Sequence, residues 1–341
     1  MSIRAGRKYL TFSISGAALA FIALVFIIYY GTTTDFVLGG VLDAEKISGM
    51  EELLKFVFLL AFVGFGTKAA VFPMYAWLPA ASVAPTPVTA LLHAVAVVNA
   101  GAYAVLRVIY YSFGASFLYG TWAQTVALLL SCFTILFGST MAVREQHFKR
   151  RLAYSTISNL SYMLMGAALM TPDGMTGSLS HLVIHGVIKI TLFYCAGAIL
   201  IKTGKEYVQD LRGYSRIMPA TCGIFLLGSI ALVGTPPLAG FVSKWNLLTA
   251  ASATELPMGT VAIVCLIISA ILTAIYLFTA ALPMYFRPLN ADQAQLAGQK
   301  LDPSWMMLLP MGILCALMIG LGLWSQPLVT FLRNISAGVI F

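Results

Sequence analysis

Charge is what this sequence has least of. Only 9% of its 341 residues are Asp, Glu, Lys or Arg, where an ordinary soluble domain carries about a quarter. With 60% hydrophobic residues beside that figure, a soluble globular domain is excluded and an integral membrane protein is indicated. Carboxylates are scarcer still. There are twelve, all outside the interiors of the long apolar runs, so a buried cation finds no acid within its own chain. The five cysteines (Cys132, Cys195, Cys222, Cys265, Cys315) stand singly in apolar runs. No pair has the spacing of a disulfide framework, zinc site or iron–sulfur site, so the expectation is a chain with no cofactor and no redox centre of its own. The absence of a GxGxxG or P-loop pattern removes the motif support for nucleotide binding. A net charge of +8 could suggest nucleic acid, but the basic residues sit mostly in short connections between apolar runs, where membrane topology accounts for them.

What is present is a series of apolar runs near 9–31, 54–78, 86–110, 119–142, 152–171, 177–201, 218–250, 258–286 and 305–331. Each is long enough for a membrane helix of about 20 residues. The expected fold class is therefore an all-α membrane protein of nine transmembrane helices. Placing the N-terminus in the cytoplasm puts thirteen of the 20 basic residues on the inside, including Arg4, Arg7, Lys8, Arg144, Lys149, Arg150 and Arg151. The expected setting is a prokaryotic cell membrane, with Phe341 outside. Lys68, Lys189 and Lys244 remain inside apolar runs.

The sixth run contains His181, His185 and Lys189. Spacing of four aligns them along one drifting stripe that climbs about 12 Å at 1.5 Å per residue. Ionisable groups at that depth need a polar interior. The plain alternative is a set of helix-packing hydrogen bonds. A proton relay is the sharper reading, because histidine titrates near neutrality. Two other runs are interrupted beside a lysine. Pro73 follows Lys68, and Pro236-Pro237 precede Lys244. Proline removes a helical N–H and clashes with the preceding turn, so the first break is expected just after Lys68. Inside a membrane, carbonyls freed in this way are tolerated only in a protein interior or a water-lined cavity. The interrupted runs are the second and seventh. They therefore cross in opposite directions, as the broken helices of an inverted repeat do.

Four motifs in order carry a resemblance. They are Lys68 to Arg107 with Trp77-Leu78-Pro79, Ala84-Pro85-Thr86 and Ala100-Gly101-Ala102-Tyr103; Lys149-Arg150-Arg151-Leu152-Ala153-Tyr154-Ser155-Thr156-Ile157-Ser158; the His181/His185/Lys189 triplet; and Gly240-Phe241-Val242-Ser243-Lys244. Together they resemble the antiporter-like subunits of respiratory complex I, membrane-bound hydrogenases and Mrp-type cation/proton antiporters. The resemblance implies a central polar axis joining two half-channels. By position, Lys68 is the first half-channel lysine, Lys189 the central one and Lys244 the terminal group, with His181 and His185 bridging through water. Lys149 is a candidate for the same relay, with a cytoplasmic anchor as its alternative role. His93 stands where some members carry histidine. Asn99 stands where relatives often carry an ionisable residue and is expected to hold water.

Members of that family have about fourteen helices, and this chain resembles the last nine. The resemblance thus divides it into residues 1–110, three helices of a first inverted repeat; 111–290, a complete second five-helix repeat; and 291–341, a C-terminal helix. It implies other membrane subunits as partners, and leaves open a truncated gene product, a degenerate relative, or one part of a split subunit whose partner supplies the remaining N-terminal helices; a partner or those helices would bring the acid that pairs with Lys68. The transported ion would be H⁺, or Na⁺ exchanged for it in an Mrp-type antiporter. A truncated structural subunit is the remaining alternative. The topology is directly testable. Single cysteines introduced in the 144–151 and 202–216 connections should label from the cytoplasm, and one at position 341 from outside; a C-terminus labelled from the cytoplasm would mean one crossing is miscounted.

Overall fold

The computed structural model describes residues 2–254, 257–290 and 298–339, and among these the chain is helical with no strand. Phe341, assigned above to the outside, lies beyond the described residues. Besides single turns at Ala44–Ile47 and Ala115–Leu118, the α-helices are α1 (Ser2–Tyr30), α2 (Glu51–Gly66), α3 (Trp77–Ala80), α4 (Thr86–Phe113), α5 (Trp122–Arg144), α6 (Phe148–Ala168), α7 (Pro172–Thr203), α8 (Pro219–Val233), α9 (Ala239–Ser252), α10 (Pro257–Phe286), α11 (Trp305–Leu323) and α12 (Gln326–Ser336). Six of them are long and apolar enough to cross a membrane: α1, α4, α5, α7, α10 and α11.

The other three apolar runs depart from that form for different reasons. α6 is buried at every position from Leu152 to Ala168 except Tyr154, and carries Ser155, Thr156, Ser158, Asn159 and Ser161. A helix surrounded by protein needs no lipid-facing stripe and can hold polar residues on several sides. The second and seventh runs are broken where proline led us to expect it, but the first break begins earlier. α2 stops at Gly66, and Lys68 lies within the break, not before it. The Val71 N–H turns back to the Gly66 carbonyl at 3.0 Å, and Ala70 adopts φ 58°, ending the helix before Pro73 can kink it. The second break follows a glycine C-cap: Gly234 has φ 93°, and its N–H reaches the Ala231 carbonyl at 3.1 Å.

Two further features differ from the runs read in the sequence. α4 is not a regular helix but contains wide π-turns at Leu91–Val95 and Val108–Phe113. The last run, expected to be one helix, divides into α11 and α12 at Trp324–Ser325, with Pro327 in the first turn of α12.

Termini are conventionally closed where they can be. Thr121 caps α5 by accepting from the Gln124 N–H, and Thr171 caps α7 by accepting from the Gly174 N–H at 3.1 Å. The connection before α6 is stapled to the one after α7 by the Phe148 N–H to Glu206 carbonyl bond of 2.8 Å. His147 Nε2 lies 3.4 Å from Glu206 Oε2, and burial holds this imidazole below its ordinary value despite the carboxylate.

Two apolar clusters fill the bundle. One centres on Phe58, Phe62, Trp77, Phe113 and Met163, the other on Phe193, Phe225, Tyr276 and Met284, and Tyr154 packs against both. The second break is closed by close backbone approach. A Cβ on Gly240 would fall on the Ala231 carbonyl oxygen, and one on Gly322 of α11 would fall on the Pro237 carbonyl oxygen. Gly312, on the same α11, has open space around it. Gly240→Ala and Gly322→Ala should each lower stability by about 1–3 kcal/mol, the usual range for overpacking, in thermal or denaturant unfolding in detergent, whereas Gly312→Ala should not.

Candidate functional site

α7 carries His181, His185 and Lys189 into the bundle interior, with Lys189 and His185 wholly buried. The two imidazoles stack, with ring centroids 5.7 Å apart and planes at 24°. His181 Nδ1 lies 2.9 Å from Ser243 Oγ on α9, beside Lys244. The Tyr162 ring of α6 joins these groups, at 5.4 Å from the His181 ring and 5.4 Å beneath the Lys244 ammonium.

Each of the four lysines, Lys149, Lys189 and Lys244 buried and Lys68 half-buried, is met by oxygen other than a carboxylate. Lys244 Nζ donates to the Leu232 and Val233 carbonyls, at 2.8 and 2.9 Å. These belong to the last turn of α8, whose carbonyls have no following helical N–H because the chain breaks at Gly234. Partial negative charge at a helix C-terminus is a favourable seat for an ammonium. Lys189 Nζ donates to Ser155 Oγ at 2.5 Å and to the Leu152 carbonyl at 3.0 Å, both on α6. Lys149 donates to the Ala84 carbonyl at 3.3 Å, at the entry to α4. Lys68 reaches Ser13 Oγ at 3.1 Å and Tyr9 OH at 3.4 Å, both on α1. It borders a cavity of about 330 Å³ lined also by Gly16, Ala17, Ala20 and Phe65. The ion pairs found among the described residues are Lys46–Asp43, Lys55–Glu52 and His147–Glu206, none of which touches this row.

His93 sits in the first π-turn of α4, fully buried, with its ring stacked on Phe193 of α7 at 5.0 Å. Asn99 Nδ2 donates to the Ala94 carbonyl at 2.9 Å, and a Cβ on Gly186 of α7 would lie 3.6 Å from that same nitrogen. The site residues read from the sequence are therefore not equally close. His181, His185, Lys189 and Lys244 gather on α7 and α9, His93 and Asn99 meet α7 from α4, and Lys149 and Lys68 contact other elements. Both nitrogens of His185 and of His93, Nε2 of His181, and Oδ1 of Asn99 and of Asn159 are buried without a protein partner. Buried polar atoms of this kind are ordinarily satisfied by internal water.

The sequence reading missed a hydroxyl network on the far side of Lys189. Ser155 Oγ is 2.7 Å from Tyr276 OH, which donates to Thr273 Oγ1 at 3.3 Å. One turn on, Ser269 Oγ meets Ser139 at 2.6 Å and Ser158 at 3.1 Å, joining α5, α6 and α10. Its signal was present as a polar stripe, Ser269, Thr273 and Tyr276, at helical spacing in an otherwise apolar helix. Among the described residues no three His, Cys, Asp or Glu side chains converge as metal ligands would.

The carbonyl seat of Lys244 has a measurable cost of removal. Lys244→Met leaves two main-chain carbonyls unpaired in a nearly dry setting and should destabilise the protein by about 1–3 kcal/mol in denaturant unfolding, while Lys244→Arg should lose less.

The match to known proteins follows the same elements. Residues 1–273 match the family model described as NADH:quinone oxidoreductase/Mrp antiporter, TM. The chain is 33% identical over 290 residues to NADH-quinone oxidoreductase subunit N of Desulforudis audaxviator (strain MP104C), covering 82% of this chain and 56% of that protein. It is 36% identical over 224 residues to NADH-quinone oxidoreductase subunit L of Rickettsia bellii (strain RML369-C), covering 66% of this chain and 33% of that one. It thus spans between about a third and a little over half of these relatives' lengths. In fold it is similar to a chain of the Mrp complex from Dietzia sp. DQ12-45-1b, with a TM-score of 0.83 at 23% identity, covering 98% of this chain and 68% of that one. A chain of respiratory complex I from Thermus thermophilus with bound NADH gives 0.80 at 24% identity, with the same coverages. By that family model and these relatives, the chain belongs to the NADH:quinone oxidoreductase/Mrp antiporter family of integral membrane subunits.

Proposed function

We propose that the chain moves protons along the row Lys68, His93, Lys149, His181, His185, Lys189 and Lys244, as an antiporter-like subunit of a complex I-like or hydrogenase-like membrane complex. The observation that carries this reading is the cluster on α7 and α9. There, two stacked imidazoles with unpartnered nitrogens lie between two lysines held by carbonyls and hydroxyls. Internal water held at those nitrogens would link the imidazoles to the lysines as a hydrogen-bonded path.

The chemistry follows from the donors. An imidazole can accept a proton at one nitrogen and release one from the other, so His181 and His185 can pass a proton between water-linked neighbours. Lys244 keeps its seat on the α8 carbonyls in either protonation state, since a neutral amine still donates two hydrogens. Lys189 rests on Ser155, whose hydroxyl can turn to donate or accept. Two charges about 10 Å apart repel by about 1.7 kcal/mol at an effective dielectric of about 20, so occupancy at one lysine biases its neighbour without direct contact. In this chain Pro73, Pro236 and Pro237 mark the breaks that bring Lys68 and Lys244 beside helix ends. Electron transfer, in this reading, belongs to partner subunits. A partner membrane segment would pack on α1 and bring an acid to the Lys68 cavity, for which α1 offers exposed Phe21, Val25 and Ile28.

The test is substitution in the intact complex. Lys189→Ala and Lys244→Ala should each reduce ion translocation by an order of magnitude or more, the usual scale for removing a proton-transfer group, while assembly persists. If both variants translocate like wild type, the subunit is structural. If translocation is lost only in the presence of Na⁺, the Mrp-type exchange reading holds instead.

A further inference from the structure

The end of the bundle where α1 begins carries a group of cations that the relay does not use. Arg4, Lys8 and Arg150 line a groove of about 400 Å³ between the start of α1, the 75–83 segment and the turn between α5 and α6. An adjoining hollow shares Arg4 and Lys8 and adds Arg7. The groove's single carboxylate, Glu145, whose Oε1 accepts from the His147 N–H at 3.0 Å, leaves the lining with three cations against one anion. None of the four cations takes part in an ion pair among the described residues. Like charges held this close are self-repelling unless something anionic comes between them.

Position narrows the anion. The apolar run of α1 starts directly after Lys8, so Arg4 to Lys8 stand at the level where the helix enters hydrocarbon. Below them the surface turns apolar, with exposed Leu10 and Ile14 on α1 and Val83 beside the groove. Tyr75 and Tyr154 line the groove, as amphipathic rings do at headgroup depth. A ligand suited to both parts has an anionic head and apolar tails. We infer that the groove formed by Arg4, Lys8 and Arg150 seats the phosphate headgroup of an anionic phospholipid whose acyl chains lie beside Leu10, Ile14 and Val83, short of the Phe21–Ile28 surface of α1.

The test uses the full chain in nanodiscs of phosphatidylcholine alone or mixed with phosphatidylglycerol, with retained lipid read by native mass spectrometry after detergent transfer. Wild type should retain phosphatidylglycerol over phosphatidylcholine, and R4Q, K8Q and R150Q should each weaken that preference about fivefold. A Lys202→Gln and Arg216→Gln double variant, which removes two cations elsewhere, should retain it. Circular dichroism and unfolding in phosphatidylcholine alone should show the groove variants folded as wild type is. Equal retention by wild type and the groove variants would overturn the proposal, as would equal loss in the control variant. Inorganic phosphate that displaces the lipid at millimolar concentration would show a free-phosphate site instead, and would equally overturn it.

Discussion

Lys244 places one ammonium on two carbonyls that the end of α8 leaves without helical partners, and the second half of the bundle is arranged around that contact. Each side answers a need in the other. The carbonyls would otherwise be unpaired at membrane depth, and the ammonium would otherwise have no anion. A helix end supplies partial negative charge without a titrating acid, so the seat persists whatever the protonation of its neighbours. The approach of α9 and α11 to the break, through Gly240 and Gly322, then keeps the loop short enough for Lys244 to reach back.

The same substitution of dipoles for formal charge recurs. Lys149 shares the Ala84 carbonyl with the Thr89 hydroxyl, and Lys189 uses the Leu152 carbonyl with the Ser155 hydroxyl. A carboxylate partner would bind each lysine more strongly, and would also fix its charge. Serine, tyrosine and carbonyl partners hold geometry while leaving charge free to change. α6 supplies much of this polar lining, which is why its own composition is too polar for a lipid-facing helix yet its residues are almost all buried.

Much of this could be read from the sequence because proline inside an apolar run and intramembrane lysine are rare enough to stand out. The breaks beside Lys68 and Lys244, and the alignment of His181, His185 and Lys189, follow from local stereochemistry and helical period alone. The start of the first break did not, because Ala70, a residue with no preference for positive φ, ends α2 ahead of Pro73. The π-turns of α4 were hidden as well. At the first of them the Asn99 amide takes the Ala94 carbonyl five residues back on α4 itself, and no composition marks such a turn. The Ser155–Tyr276 and Ser139–Ser158–Ser269 contacts join residues more than a hundred positions apart as well as near ones, so only the fold brings them together.

Spacing of four on α7 has a geometric consequence of its own. Each step of four residues overshoots a full revolution by about 40°, so the row swings about 80° between its first and last members. One helical neighbour cannot face a row that swings so far. His181 accordingly addresses Ser243 on α9, whereas Lys189, two turns on, addresses Ser155 on α6. α7 is built as a spiral stair: from His181 to Lys189 its polar side chains advance along the bundle and turn sideways at the same time, from the α9 flank to the α6 flank.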